Sequence, residues 1–345
     1  MKKMKGILAI ALAFLMVLGL SGCSSQTQQQ PAEAPAEDAA PKEETPAAAP
    51  EEEAPTDKKV VIGVTMADVT SPSIVLMLNA MEEKAKEMNA ELKIVDYKSD
   101  ISTLIESVEN FVSADVDCIV AQTMDTGSGT DALRAAKDAG ITVIAFDTAL
   151  EDNVMDYFFG ASNYELGKTI GTAAGTWAKE NITGPVKVGV CNAPSIAFAV
   201  ERSNGIIDGV KEACPDAEVV MEAECYMTPV GVETGENFLN ANPDMNLVVG
   251  INDGGVLGVY EAFKAAGKSG NGEIGIFGGD GTPDGFDSVA AGDIFRGTVS
   301  LELDKIGMQM VEYAVNTAQG NPPEETTVYF PMIPVNGDNV SDFTK

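Results

Sequence analysis

Acidic and amide side chains stand at three points where apolar, strand-like runs stop. Asp147 follows Thr142, Val143, Ile144, Ala145 and Phe146, and Asn252-Asp253 follows Leu247, Val248, Val249 and Ile251. The third point is Gly278-Gly279-Asp280-Gly281-Thr282-Pro283-Asp284-Gly285, directly after Ile274, Ile276 and Phe277. Glycine, proline and aspartate after such a run mark the turn from a strand into a helix. In an open α/β sheet that edge is where ligands bind. Carboxylates and amides placed there accept and donate hydrogen bonds in fixed pairs, and an arginine adds bidentate geometry. Such a set suits a molecule with vicinal hydroxyls, a sugar or a polyol. Paired acids such as Asp147 and Asp280 could also flank a glycosidic bond. Local uses compete: Asp147 could cap a loop and Asn252 the helix that follows it.

Other chemistries are excluded by composition. The chain of 345 residues has no histidine, so imidazole acid–base catalysis and histidine-ligated metals are ruled out. It carries 22 basic against 53 acidic residues, a formal net charge of −31, which leaves nothing to neutralise phosphate and makes nucleic acid an unexpected partner. Five cysteines form no CxxC pair. Cys118 and Cys191 lie in apolar runs and read as small buried side chains, and a disulfide between Cys214 and Cys225 is the minority reading. No nucleophile elbow or Walker loop is present, and Gly278-Gly279-Asp280-Gly281 is not GxGxxG. No enzyme, cofactor or metal is expected.

Positioning these residues falls to an alternation of short apolar runs and helix-length amphipathic segments that begins at Val60. Val60–Val64, Leu92–Val95, Cys118–Ala121 and Val143–Phe146 read as strands, with helices near residues 73–89, 101–113 and 131–139 between them. A long helix from about Glu165 to Glu180 follows. The pattern then restarts at Val186–Val190 and runs through residues 218–221, 247–251 and 274–277. Strands separated by helices without hairpin signals mean right-handed βαβ units and parallel sheets. Two series of similar length suggest two lobes.

The order of the strand-end motifs, the helix-opening Glu201-Arg202-Ser203-Asn204-Gly205 and the specific Asp280-Gly281-Thr282-Pro283-Asp284-Gly285 resemble the ribose-type periplasmic sugar-binding proteins, receptors for ABC importers. The resemblance covers about residues 59 to 336. It implies the type I periplasmic binding protein fold: α/β, two Rossmann-like lobes with parallel sheets flanked by helices, and a hinge of three crossovers near Asn163, Leu301 and Thr327. Residues 59–163 and 302–327 would form the N-terminal lobe, and 164–301 and 328–345 the C-terminal lobe. Matched residue by residue, it implies ligand contacts at Asp147, Arg202, Asn252 and Asp280, with Tyr226 as a second-lobe aromatic. Without the resemblance, Arg202 could equally be an exposed helix residue paired with Glu201 or Asp208, and Tyr226 a core residue.

The chain also departs from that pattern. Where the family carries Asn-Pro and two aromatics, this chain has Asp68-Val69-Thr70-Ser71-Pro72-Ser73-Ile74, leaving the Ser71 and Ser73 hydroxyls as first-lobe candidates and no ring to stack on a pyranose. Thr148 stands where an arginine is usual and Leu301 where a glutamine often is. Phe198 could supply aromatic surface from the other lobe. The ligand expected is a monosaccharide or polyol; a nucleoside or autoinducer-2 in the same fold is the alternative, as is a sensory subunit that feeds a membrane receptor.

Residues 1–22 read as a targeting segment. Lys2, Lys3 and Lys5 precede an apolar stretch from Ile7 to Leu20 that is short for a membrane span. Leu20-Ser21-Gly22-Cys23 resembles a bacterial lipobox, which implies cleavage before Cys23 and lipidation of its thiol. Residues 23–58, rich in Pro, Ala and Glu, read as a disordered tether. Together these imply a protein outside the cytoplasm, held to the membrane by its lipid anchor alone; the resemblance implies that it serves ABC permease subunits, and a monomer is expected.

Overall fold

The computed structural model describes residues 59–151 and 153–344. The targeting segment, Cys23 and the tether lie outside the described residues. The first lobe is built by β1 (Val60–Met66), α1 (Pro72–Glu87), β2 (Ala90–Asp96), α2 (Ile101–Ser113), β3 (Cys118–Gln122), α3 (Thr130–Asp138), β4 (Thr142–Phe146) and β5 (Tyr157–Gly160). The second is built by α4 (Asn163–Asn181), β6 (Lys187–Asn192), α5 (Ala197–Ala213), β7 (Glu218–Glu224), α6 (Thr228–Ala241), β8 (Leu247–Gly250), α7 (Asp253–Ala265), β9 (Gly275–Phe277), α8 (Pro283–Ala290) and β10 (Phe295–Ser300). The chain then returns through α9 (Leu303–Ala318) and β11 (Thr327–Tyr329) before β12 (Ile333–Asn336).

Two six-stranded sheets result, ordered β11-β5-β4-β3-β1-β2 and β12-β10-β9-β8-β6-β7. All pairs in the first are parallel, and the pairs among β1 to β4 are the ones that βαβ connections require. In the second, β12 runs antiparallel to β10, a departure from the purely parallel expectation. It arrives from the other lobe and not through a crossover helix, so nothing fixes its direction. The central strands β3, β4 and β8 are apolar and buried because helices cover both faces.

The chain passes between the sheets at residues 161–162, 301–302 and 330–332. The third passage lies later than the expected Thr327, because β11 pairs with β5 from Thr327↔Phe158 to Tyr329↔Gly160 and so belongs to the first sheet. Asn163 opens α4, capped by Ser162, and α4 packs on α5, so it starts the second lobe. No bond joins Cys214 and Cys225; both are free and buried, like Cys118 and Cys191. Among the described residues no helix is long and apolar enough to cross a membrane, and no three potential metal ligands cluster.

The seam between α4 and α5 sets the position of the second lobe's site. Gly167, Gly171 and Gly175 recur every fourth residue on α4 and meet Gly205 and Gly209 on α5. A Cβ at Gly167 would lie 1.9 Å from the Arg202 carbonyl oxygen, and one at Gly205 would lie 2.1 Å from that of Tyr164. Backbone therefore packs directly on backbone. Gly171→Ala, whose Cβ would fall 2.2 Å from the Ile206 carbonyl, is expected to cost at least about 1–3 kcal/mol by overpacking. Gly337→Ala meets nothing within 4 Å and should stay within about 0.5 kcal/mol of the parent. Urea denaturation of both variants checks this, and equal midpoints would show that the helices have room to separate.

Candidate functional site

The C-terminal edges of both sheets, with the starts of α1, α5 and α6, enclose a cleft of about 330 Å3. That lies at the small end of ligand pockets, about 300–1,000 Å3. Asp147, at the end of β4, has φ 66°, and the Thr148 N–H donates to the Phe146 carbonyl at 2.8 Å, closing a γ-turn around it. Gln122, at the end of β3, accepts from the Ala67 N–H at 3.0 Å through Oε1, and its side chain bonds the Asp147 carboxylate. Asp280 also lies at positive φ, 88°, and its carbonyl accepts from the Leu301 N–H at 3.2 Å. Aspartate tolerates this conformation better than most residues.

Arg202 is 8 % exposed and interacts electrostatically with both acids. Its Nε and Nη2 donate to Asn163 Oδ1 at 3.0 and 2.7 Å, and Nη1 donates to the Ile251 carbonyl at 2.9 Å. Nη1 also lies 3.5 Å from Asp280 Oδ1, and the guanidinium sits 5.9 Å from the centre of the Phe198 ring. From the first lobe, the Ser73 side chain bonds Asp280, and Ser71 Oγ lies 3.2 Å from Ser73 Oγ. The two lobes thus touch across the cleft. Burial pushes the Asp147 carboxyl above its ordinary range, while Arg202 and Gln122 pull it down. Burial likewise raises Asp280; Arg202 opposes this, Asp147 adds to it, and Ser73 opposes it.

A fold with two lobes, swapped terminal segments and polar groups at facing strand ends is the setting for the comparisons with known proteins. The periplasmic binding protein domain family matches residues 62–322. This chain belongs to that family. As a periplasmic binding protein it is 24% identical over 269 residues to the ribose import binding protein RbsB of Bacillus subtilis, covering 78% of this chain and 85% of that one. It is 28% identical over 295 residues to a putative rhizopine-binding protein of Rhizobium meliloti, covering 82% and 92%. An ABC transporter solute-binding protein from Actinobacillus succinogenes with bound D-allose superposes with a TM-score of 0.74 at 21% identity, over 82% of this chain and all of that one.

In this binding protein the eight candidate residues Ser71, Ser73, Asp147, Phe198, Arg202, Tyr226, Asn252 and Asp280 all line the one cleft. Arg202 is not an exposed helix residue paired with Glu201 or Asp208; Asp208 instead accepts from the Tyr164 hydroxyl at 2.9 Å. Asn252 does cap its helix: Oδ1 accepts from the Gly255 N–H at 3.0 Å, and Nδ2 donates to the Tyr226 carbonyl at 2.9 Å. One donor and one lone pair of its amide remain for the cleft. Tyr226 and Phe198 are half-buried, each packing partly against the core.

Four contributions escaped the sequence reading. Asn163 fixes Arg202, and Gln122 fixes Asp147. Phe146 and Phe330, with ring centres 5.8 Å apart, line the cleft from the first lobe, so the lobe does present aromatic surface although its loop lacks it. Phe146 was signalled by its place beside Asp147, and Gln122 by ending β3 as Asp147 ends β4.

The fourth is Asp253, which lies under Asp280 with no exposure. Its Oδ2 accepts from the Thr282 N–H at 2.8 Å and the Thr282 hydroxyl at 3.0 Å, and its Oδ1 from the Thr298 hydroxyl at 2.7 Å. It thereby holds the whole Gly278–Gly285 turn in place. Burial and neighbouring Asp280 push its carboxyl up to about 7, against the pull of these three donors. A carboxyl raised in the folded state gives stability that is full below its unfolded value and is lost as pH rises through about 7. The loss is at most roughly 4 kcal/mol over that interval. Asp253→Asn keeps the shape and removes the titration, so its stability should change less between pH 5 and 8 than the parent's. Urea melts across this range measure the difference, and parallel pH profiles would remove Asp253 from the account.

Proposed function

We propose that this periplasmic binding protein is the extracytoplasmic substrate-binding lipoprotein of an ABC importer, taking a monosaccharide or related polyol between its lobes and delivering it to the permease. The observation that supports it best is the convergence of Asp147 from one lobe and Asp280 from the other on Arg202, inside a cleft partly walled by rings. Vicinal hydroxyls donate to both carboxylates at once, and Phe146, Phe330, Tyr226 and Phe198 offer apolar faces to the carbon skeleton. A ligand that bridges the lobes binds the closed state better than the open one and shifts the population by that difference. The ribose and allose relatives take the same kind of molecule.

Residues 1–22 then act as the export signal, and Cys23 as the lipid-bearing N-terminus of the mature protein. Acyl chains hold a protein to a bilayer surface without a spanning helix. The lobes work as one monomeric receptor, with no catalytic step.

A thermal-shift screen of the purified protein against pentoses, hexoses, polyols, nucleosides and autoinducer-2 tests the ligand class. A compound at about 100 times its Kd should add about 2.7 kcal/mol of stability. Asp280→Ala should abolish that gain while leaving a cooperative melt, since a strand-end carboxylate contributes little to the core. Stabilisation only by nucleosides or autoinducer-2 would overturn the sugar assignment. Cys23→Ser should move the protein from the membrane fraction to the soluble fraction; membrane retention of that variant would sink the anchor assignment.

A further inference from the structure

Among the described residues the charged side chains that line the cleft are Asp68, Asp147, Asp280 and Arg202, three acids against one base. Asp68 is a rim residue already bonded to the Thr70 N–H and hydroxyl. The two deep acids share a single guanidinium. That guanidinium is itself committed to uncharged acceptors, Asn163 Oδ1 and the Ile251 carbonyl, and meets Asp280 only at 3.5 Å. Among the described residues no lysine lines the cleft, and the remaining polar groups there are hydroxyls and amides. Directly behind Asp280 lies the fully buried Asp253, whose hydrogen bonds come from neutral threonine groups and supply no positive charge.

Buried ionised carboxylates are costly unless a charge pairs with them. With one base for two deep acids, the closed cleft holds an uncompensated negative charge that a neutral sugar cannot cancel, because hydroxyls bring donors without charge. A protonated amine brings three donors and the missing charge together. We infer that the preferred ligand is a polyhydroxylated molecule carrying a protonated amine, an amino sugar or aminopolyol, with its ammonium between Asp147 and Asp280. Its hydroxyls then face Ser71, Ser73 and Asn252. This rests on the polyol reading above and narrows it to one charge class.

Isothermal titration of the purified full chain with matched pairs separates the two claims: glucosamine against glucose, galactosamine against galactose, 1-amino-1-deoxysorbitol against sorbitol, and an inosamine against myo-inositol. The expected result is at least one pair in which the amine binds about tenfold tighter or more than its neutral counterpart. In Asp147→Asn, and independently in Asp280→Asn, that ratio should fall towards one while each variant keeps a cooperative melt. If every pair that binds favours its neutral member or neither, the amine inference is wrong and the polyol reading stands. If no member of any pair binds the folded protein, the polyol reading falls and takes this inference with it.

Discussion

A guanidinium withdrawn from water is tolerated only when its N–H groups find acceptors, and the second lobe is arranged to provide them for Arg202. Asn163 supplies Oδ1 to two of its nitrogens, and the carbonyl of Ile251 takes a third contact. These acceptors come from different parts of the chain. Asn163 opens α4 immediately after the first passage between lobes, and Ile251 follows the last residue of β8. One side chain therefore ties a connecting segment, a helix and a strand end together. Removing Asn163 would leave a buried charge without its main acceptor, the costly half of breaking any buried polar pair.

The glycine seam makes that arrangement possible. Arg202 reaches Asn163 because its own backbone carbonyl lies where a side chain at Gly167 would otherwise stand. The same device recurs on the far side of the lobe, where Gly231 on α6 would clash with the Gly255 carbonyl and Gly258 on α7 with the carbonyl of Thr228. That second seam seats the helix capped by Asn252. Helices in backbone contact have little freedom to slide, since close-packed interfaces do not deform continuously. Relative motion of the lobes then falls to the three short passages at residues 161–162, 301–302 and 330–332.

This division explains what could be read from the sequence. Strands such as β8 announced themselves because burial on both faces demands an unbroken apolar run. Strands that no such isolated run marks did not. β10 contains Arg296, Gly297 and Thr298, and among the described residues β11 is paired only with β5, more than a hundred and fifty residues earlier in the chain. The exchange of segments between lobes came only from family resemblance. In the site, Asp147 and Asp280 were legible because turn chemistry isolates them at strand ends. Asn163 and Asp253 were not, because their roles exist only once α5 and the Gly278–Gly285 turn have been brought against them. Asn252 was seen in both of its uses, as cap and as cleft residue, and the structure keeps both.

The placement of one acid on each lobe has a consequence for closure. Bringing the lobes together brings Asp147 towards Asp280, and the charge of Asp147 disfavours ionisation of Asp280. Both acids are held at left-handed backbone positions by their own strand ends, so neither can turn aside without breaking the turn that carries it. Arg202 relieves only part of this, because its other contacts fix it to the second lobe. An empty cleft therefore closes against electrostatic resistance. A ligand that places a positive charge between the two carboxylates removes the resistance at the moment it adds contacts to both lobes. Differential affinity for the closed state then comes from two sources at one point, new hydrogen bonds and cancelled repulsion, and the second is unavailable to water-filled closure.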